Sequence, residues 1–138
     1  MGVAVDRDDW AGSTPLHWAA YAGAAPVVEL LLAHRAEPAV PNRIERALPI
    51  HLAARYNRST EALELLAKAA PELVDAPSAR GNTPLHETAY EGHVAAAALL
   101  LAHGADLEAV NNADERGGLT PLLAGAAYGH VALVRSKP

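Results

Sequence analysis

A four-residue motif returns four times along the chain at nearly equal spacing, and it constrains the fold more than any other sequence feature. Its copies are Thr14-Pro15-Leu16-His17, Leu48-Pro49-Ile50-His51, Thr83-Pro84-Leu85-His86 and Thr120-Pro121-Leu122-Leu123. The prolines of successive copies are 34, 35 and 37 residues apart. A period of this length is typical of solenoids, in which each unit packs on its neighbours. The sequence therefore predicts a stack of units of roughly 33 residues with short loop insertions.

Each unit carries signals for two helices joined by a tight turn. Threonine before the proline caps a helix, and proline is tolerated at the first helical position because no hydrogen bond is lost there. Eight residues after each proline stands a residue suited to a left-handed helix end, namely Gly23, Asn57, Gly92 or Gly129. Leucine pairs follow eight and nine residues later in the first three units, at Leu31-Leu32, Leu65-Leu66 and Leu100-Leu101. The pattern predicts a unit of helix, turn, helix and loop.

This pattern resembles that of ankyrin-repeat proteins, whose signature Thr-Pro-Leu-His-x-Ala and period it shares. The third unit matches most closely, from Gly81 to Asp106, whereas the second has Leu48 in place of threonine and Asn57 in place of glycine. The resemblance covers nearly the whole chain and implies an all-α ankyrin-type helix-turn-helix solenoid with loop or hairpin connections. We expect a single domain over residues 1–138. Its parts are an N-terminal loop at 1–13, units at 14–47, 48–82 and 83–119, and a partial unit at 120–138.

The resemblance also implies a non-catalytic module for protein–protein interaction. Such modules bind their partner on a concave face made by the loop tips and the exposed side of the first helices. The matching aromatic and charged positions of this chain are Trp10, Trp18, Tyr21, Arg55, Tyr56, Arg80, Tyr90, Glu91 and Tyr128. Tryptophan, tyrosine and arginine are enriched at interface hot spots, and we expect Arg55 and Arg80 to be available for carboxylates of the partner. The alternative is that the tyrosines only pack between neighbouring first helices.

Charge and composition narrow the classes of partner and location. The chain of 138 residues has a formal net charge of -5, so it offers no uniform positive field to nucleic acid. It has no cysteine, which excludes disulfides and zinc sites built on cysteine. Charge appears at Asp6, before an apolar run of signal-peptide length, and the longest apolar stretch, Val94–Ala102, is half a membrane span. We predict no membrane insertion and an intracellular, cytoplasmic protein, with the nucleus as the alternative.

The histidines are the first place to look for chemistry, and all seven fall in repeat columns, which favours structural roles. In the family that the chain resembles, the histidine two residues after the proline (His17, His51 and His86) bonds the loop backbone. The run from His86 to Tyr90 falls short of a zinc-protease helix because tyrosine replaces the second histidine ligand. Phosphate loops and nucleophile elbows are absent from the sequence. The sequence therefore predicts no catalytic, metal or cofactor site and a protein that is not an enzyme.

The incomplete fourth unit supports two further hypotheses. Its residues stop at Pro138, one position past the start of the expected leucine pair. As an alternative function, the chain is an ankyrin targeting or scaffold fragment of a larger multidomain enzyme or membrane protein whose activity lies outside it. The unfinished unit is also expected to leave apolar surface near Leu99, Leu101 and Leu133, through which two copies of the chain self-associate.

Overall fold

The computed structural model describes residues 7–112 and 118–128, and within these ranges the chain is helical. The α-helices follow in the order α1 Pro15–Ala22, α2 Ala25–Ala33, α3 Pro49–Tyr56, α4 Thr60–Ala69, α5 Pro84–Glu91, α6 Val94–Ala102 and α7 Pro121–Ala127. A 3-10 turn at Pro71–Leu73 follows α4. Because no strand occurs in the two described ranges, the predicted all-α helix-turn-helix solenoid is confirmed. None of these helices is long and apolar enough to cross a bilayer.

Each first helix of a unit begins at the proline that the repeat predicted. At Thr14, Thr83 and Thr120 the side-chain hydroxyl accepts a hydrogen bond from the backbone N–H three residues later, over 3.3–3.4 Å. In the second unit Leu48 has no side-chain acceptor. The N–H of Leu48 instead donates to Nδ1 of His51 over 3.0 Å, so the motif histidine still fixes this helix start.

The first helices end where the sequence places residues suited to a left-handed backbone. Gly23 and Gly92 have φ values of 68° and 73°, and Asn57 takes the same role in the second unit with a φ of 40°. Gly129 lies outside the described residues. At Gly23 the next unit also comes close, since a Cβ there would lie 3.0 Å from the backbone carbonyl carbon of Arg58. This helix end therefore requires glycine for both backbone angle and space.

Asn57 is a weak point in the stack, and Asn57→Gly is expected to raise the free energy of unfolding by about 1 kcal/mol. The side-chain Oδ1 of Asn57 is buried and has no hydrogen-bond partner among the described residues, and glycine takes positive φ without strain. Urea unfolding followed by circular dichroism measures the change. Asn57→Ala is the control, because it also removes the buried oxygen but is strained at this φ. A glycine variant less stable than the native chain would contradict the explanation.

The helices pack in two layers, with α1, α3, α5 and α7 in one and α2, α4 and α6 in the other. Equivalent positions of the first layer carry Leu16, Ile50 and Leu85, which are all at most 2% exposed. The second layer is centred on buried residues such as Leu63 and Leu100. Buried alanines separate these larger side chains, so neighbouring first helices approach closely. The last turns of the first helices consequently lie side by side on one face.

The loops that precede the first helices are closed by side chains and joined to one another. Asp9 Oδ1 accepts hydrogen bonds from the N–H groups of Ala11 and Ser13, each over 2.9 Å. The backbone bond to Ser13 is the main reason that the pKa of Asp9 lies below its usual value. Successive loop tips are linked by backbone bonds of 2.8–2.9 Å, from Arg43 to Ala11, from Ala79 to Glu45 and from Asn112 to Arg80. These links make a continuous rim opposite the first helices.

The leucines expected to form an exposed apolar end are only partly uncovered. Leu99 and Leu101 are half-buried against the core, and Leu133 lies outside the described residues. Self-association of the chain stays a prediction.

Candidate functional site

A groove of about 850 Å³ lies between the loop rim and the last turns of the first helices. Its lining residues are Ile44, Glu45, Arg55, Ala79, Arg80, Asn82, Glu87, Tyr90, Glu91, Asn111, Asn112, Leu119 and Tyr128. One wall comes from the loops and the other from α3, α5 and the end of α7. The volume lies within the range of pockets that hold ligands, and the lining mixes aromatic, amide and charged groups.

The four tyrosines at the ends of the first helices are arranged in pairs by the repeat. Each stands six or seven residues after the proline of its unit, so neighbouring first helices bring the rings together. Tyr21 meets Tyr56 with ring centroids 4.6 Å apart, and Tyr90 meets Tyr128 at 4.9 Å, both edge to face. The rings thus pack between helices, as the alternative predicted, yet Tyr128 remains 63% exposed. Tyr128 therefore packs against Tyr90 and still offers exposed ring surface to a partner.

The two tryptophans lie in the N-terminal loop and in the first unit, away from the residues that line the groove. Trp10 is 85% exposed at a loop tip, and Trp18 is 57% exposed on α1. The indole N–H of Trp18 donates to Asp9 Oδ2 over 3.0 Å, which fixes the ring against the N-terminal loop. Trp18 lines a separate depression of about 370 Å³ together with Asp9 and Pro15. The predicted face therefore has an aromatic part formed by the N-terminal loop and unit one, and a groove in the later units.

Arg55 is held by carboxylates of its own chain. Its Nη1 and Nη2 donate to the two oxygens of Glu45 over 2.9 Å each, and its Nε donates to Glu87. The expectation that Arg55 is available for a partner's carboxylate is therefore wrong. The reason is that the loop before α3 and the neighbouring helix α5 each present a glutamate to the same guanidinium. Arg55 joins the two walls of the groove instead of binding across it.

Burial makes the ion pair between Arg55 and Glu87 important for the groove. The Glu87 side chain is 5% exposed and that of Arg55 is 22% exposed. Burial raises the pKa of Glu87, and the nearby Arg55 charge only partly offsets this. Burial also opposes the charge of Arg55, but the bonds and charges of Glu45 and Glu87 outweigh it and raise the pKa of Arg55. Each charge in this trio depends on the others.

Amide side chains in the groove are oriented by a chain of hydrogen bonds. The backbone N–H of Leu119 donates to Asn111 Oδ1 over 2.8 Å, which identifies that atom as the oxygen. Asn111 Nδ2 therefore donates to Tyr90 Oη at 2.8 Å and to Asn82 Oδ1 at 2.7 Å. The amide nitrogen of Asn82 is left without a hydrogen bond to the described residues. It is a donor in the groove that a bound main-chain carbonyl can use.

The motif histidines hold each first helix to the loop that leads to the next unit. The ring Nε2 of His17 donates to Ala47 O over 2.8 Å, and that of His86 donates to Leu119 O over 2.7 Å. His51 donates from Nε2 to the carbonyls of Ala76 and Asn82, over 2.7 Å and 3.0 Å. The loop-bonding role implied by the family resemblance is confirmed. Burial lowers the pKa of all three rings, and that of His51 falls to about 4.

The groove brings together five of the nine predicted site residues, which are Arg55, Arg80, Tyr90, Glu91 and Tyr128. Trp10, Trp18, Tyr21 and Tyr56 do not line it. Sequence reasoning missed Glu87 and Asn111. Helical periodicity was the signal for Glu87, because it lies four residues before Glu91 on the same face of α5. The signal for Asn111 was its place in the loop before a copy of the motif. In the earlier loops Asp9 and Asn42 stand in the corresponding place, and their side chains likewise accept hydrogen bonds from backbone N–H groups.

Side chains that bind metals are not grouped in the part of the chain that the structure describes. There, no three histidine, aspartate or glutamate residues come together in a way that could hold an ion.

Comparison with known proteins gives consistent matches. A family model described as ankyrin repeats in three copies matches residues 50–136, and one described as an ankyrin repeat matches residues 11–43. The chain is 36% identical to inversin of Mus musculus and 35% identical to inversin of Homo sapiens over 107 residues, which is 77% of this chain. It is 36% identical over 100 residues, or 72% of this chain, to ankyrin repeat protein nuc-2 of Neurospora crassa. The matches cover only 9–10% of these relatives.

Proposed function

This chain belongs to the ankyrin-repeat family, and from that membership and the groove we propose that it binds a partner protein on its concave face. Ankyrin repeats generally mediate protein–protein interaction and are not catalytic. The partner contacts the loop tips and the last turns of the first helices, from the two tryptophans to the groove of the later units. On this proposal the chain is one domain of stacked units, acts inside the cell, and is not itself an enzyme.

The exposed aromatic and apolar side chains of this face carry the proposal. Trp10 is 85% exposed, Ile44 70%, Tyr128 63% and Trp18 57%. Such side chains gain roughly 25 cal/mol for each Å² that a partner removes from water. All six aromatic residues of the chain lie at the loop tips, on the first helices or, in the case of Tyr128, directly after α7. The buried hydrophobic side chains of the core are aliphatic. Aromatic anchors placed in this way are the usual source of affinity at interfaces.

The size of the relatives supports a second candidate. The chain spans about a tenth of the length of the curated relatives that it matches. A scaffold or targeting segment of a larger enzyme or membrane protein would use the same face, while the activity of the whole protein lies elsewhere. The two candidates differ in what the chain belongs to and agree on how it binds.

A triple variant, Trp10→Ala with Tyr56→Ala and Tyr128→Ala, tests the concave face. We expect it to retain at least tenfold less of each specific partner than the native chain in affinity capture from an extract of the organism's cells, measured by quantitative mass spectrometry. The three side chains are exposed, so the helix content by circular dichroism should not change.

Val27→Ala with Leu30→Ala is the matched control, because both side chains are exposed on α2, outside the concave face. This control should retain the partners of the native chain. Equal capture by the triple variant and the native chain would remove the concave face from the proposal.

A further inference from the structure

Two charged side chains of the groove have no partner within the part of the chain that the structure describes. Arg80 is exposed on the loop wall, and Glu91 is exposed at the end of α5 on the helix wall. Neither side chain makes a hydrogen bond or ion pair with a described residue. These two side chains place one unpaired positive charge on the loop wall and one unpaired negative charge on the helix wall.

The other charged side chains of the groove are paired with one another. Arg55 bonds both Glu45 and Glu87, so one positive charge faces two carboxylates and the trio keeps an excess of negative charge on groups that already bond Arg55. The unpaired charged side chains that a ligand residue can meet one to one are Arg80 and Glu91. Complementary charges at an interface set partner choice and orientation more than they set affinity.

From this arrangement, and resting on the proposed function, we infer that the groove binds an extended peptide segment of the partner protein with an acidic residue facing Arg80 and a basic residue facing Glu91. In an extended segment successive side chains point to opposite sides. The acidic and basic residues must therefore be adjacent in the sequence or three positions apart, so that each faces its own wall. The main chain of the segment meets Asn82, whose Nδ2 has no acceptor among the described residues and donates to a carbonyl of the segment.

The tyrosines favour the same orientation of the segment. Tyr128 lines the groove on the side of Glu91 and is 63% exposed beside the ring of Tyr90. An arginine or lysine side chain bound to Glu91 can lie on these rings, which attract cations through their π faces. The π faces do not attract an acidic side chain in this way. The basic residue therefore belongs to the helix wall.

Selection from a random peptide display library against the intact chain tests this inference. We expect the enriched peptides to contain a basic and an acidic residue one or three positions apart. One enriched peptide is then synthesised, and its affinity is measured by fluorescence anisotropy for the native chain and for Glu91→Lys, Arg80→Glu and the double variant. Each single variant is expected to lose about tenfold in affinity. A peptide with its two charges exchanged should bind the double variant better than it binds the native chain.

Glu29→Lys is the matched control, because Glu29 is exposed on α2 and the substitution changes the net charge as Glu91→Lys does. It should leave the affinity unchanged. If the peptides lose binding in the Trp10, Tyr56 and Tyr128 triple variant but show no charge preference, the charge inference is wrong and the proposed function stands. If no peptide is enriched, the peptide inference is wrong and affinity capture alone decides the proposed function. If binding of the enriched peptides survives in every groove variant and in the triple variant, both fail. If the acidic and basic residues of the enriched peptides are two or four positions apart, the bound segment is not extended as inferred.

Discussion

Arg55→Ala is expected to lower the free energy of unfolding by about 3 kcal/mol, more than any other single substitution in the groove. Glu87 is only 5% exposed, and Arg55 is its ion-pair partner. Removal of the guanidinium leaves a buried carboxylate without a counter-charge, which costs more than the pair itself contributes. The loss also separates the loop before α3 from α5, because Arg55 bonds Glu45 as well. Urea unfolding followed by circular dichroism measures the effect.

Two further variants separate the buried charge from other causes. Arg55→Ala combined with Glu87→Gln should recover a good part of the lost stability, because a neutral amide costs less to bury than a carboxylate. Glu45→Gln should cost less than about 1 kcal/mol, since Glu45 is 37% exposed and Arg55 keeps its bond to Glu87. A loss in Glu45→Gln equal to that in Arg55→Ala would show that Glu87 is not the group that depends on Arg55.

The pH dependence of the Arg55→Ala variant gives an independent check. Burial raises the pKa of Glu87 in the native chain, and loss of the nearby cation raises it further. In the variant, Glu87 then binds a proton more readily in the folded state than in the unfolded state. The loss of unfolding free energy caused by Arg55→Ala is therefore full above the folded-state pKa of Glu87, and it shrinks as pH falls toward the unfolded-state pKa. Stability is compared with the native chain at each pH, so that other titrations cancel. A penalty that does not depend on pH would contradict the buried-charge explanation.

The fold was predictable because the signals that set helix ends are local. Pro15, Pro49, Pro84 and Pro121 each begin a helix as the motif predicted. The glycine column located the helix ends, and even Asn57 keeps the left-handed angle that replaces glycine there. A cap or turn depends on residues within one helical turn, so sequence spacing carries the information.

The groove was only partly predictable because its pairings join distant residues. The repeat placed Arg80, Tyr90 and Glu91 on one face. It could not indicate that Arg55 meets Glu45 and Glu87, which lie 10 and 32 residues away in sequence. Those contacts depend on the distance between neighbouring units and on side-chain rotamers. The position of a charged residue in the repeat was therefore enough to place it on the concave face. It was not enough to tell whether that residue is paired within the chain.

Acidification is expected to destabilise the stack between about pH 6.5 and about pH 4 because of three buried histidines. His17, His51 and His86 are 0% exposed. Burial lowers the pKa of each, that of His51 from 6.5 to about 4. Between these pH values the unfolded chain binds protons that the folded chain does not, so the free energy of unfolding falls as pH falls. The shift at His51 alone corresponds to about 3 kcal/mol, and this stability is fully present above pH 6.5.

The hydrogen bonds explain why these rings must stay neutral. At His51 the N–H of Leu48 donates to Nδ1 over 3.0 Å, while Nε2 carries the proton donated to Ala76 O and Asn82 O. A second proton on Nδ1 would point at the N–H of Leu48, which would lose its acceptor. Protonation therefore breaks the helix start that lacks a threonine cap. The second unit should be the most sensitive part of the stack to acid.

Urea unfolding across this pH range, with His51→Gln beside the native chain, measures the contribution. Below pH 6.5 the unfolding free energy should change less steeply with pH in His51→Gln than in the native chain. The difference in slope should correspond to about one proton fewer taken up on unfolding. His34→Gln is the control for the loss of one histidine as such, since His34 is exposed at the end of α2. Titration of the histidine ring protons by nuclear magnetic resonance gives the folded pKa directly. A native slope near zero between pH 6.5 and pH 4, or an unchanged slope in His51→Gln, would show that the buried rings accept protons without loss of the fold.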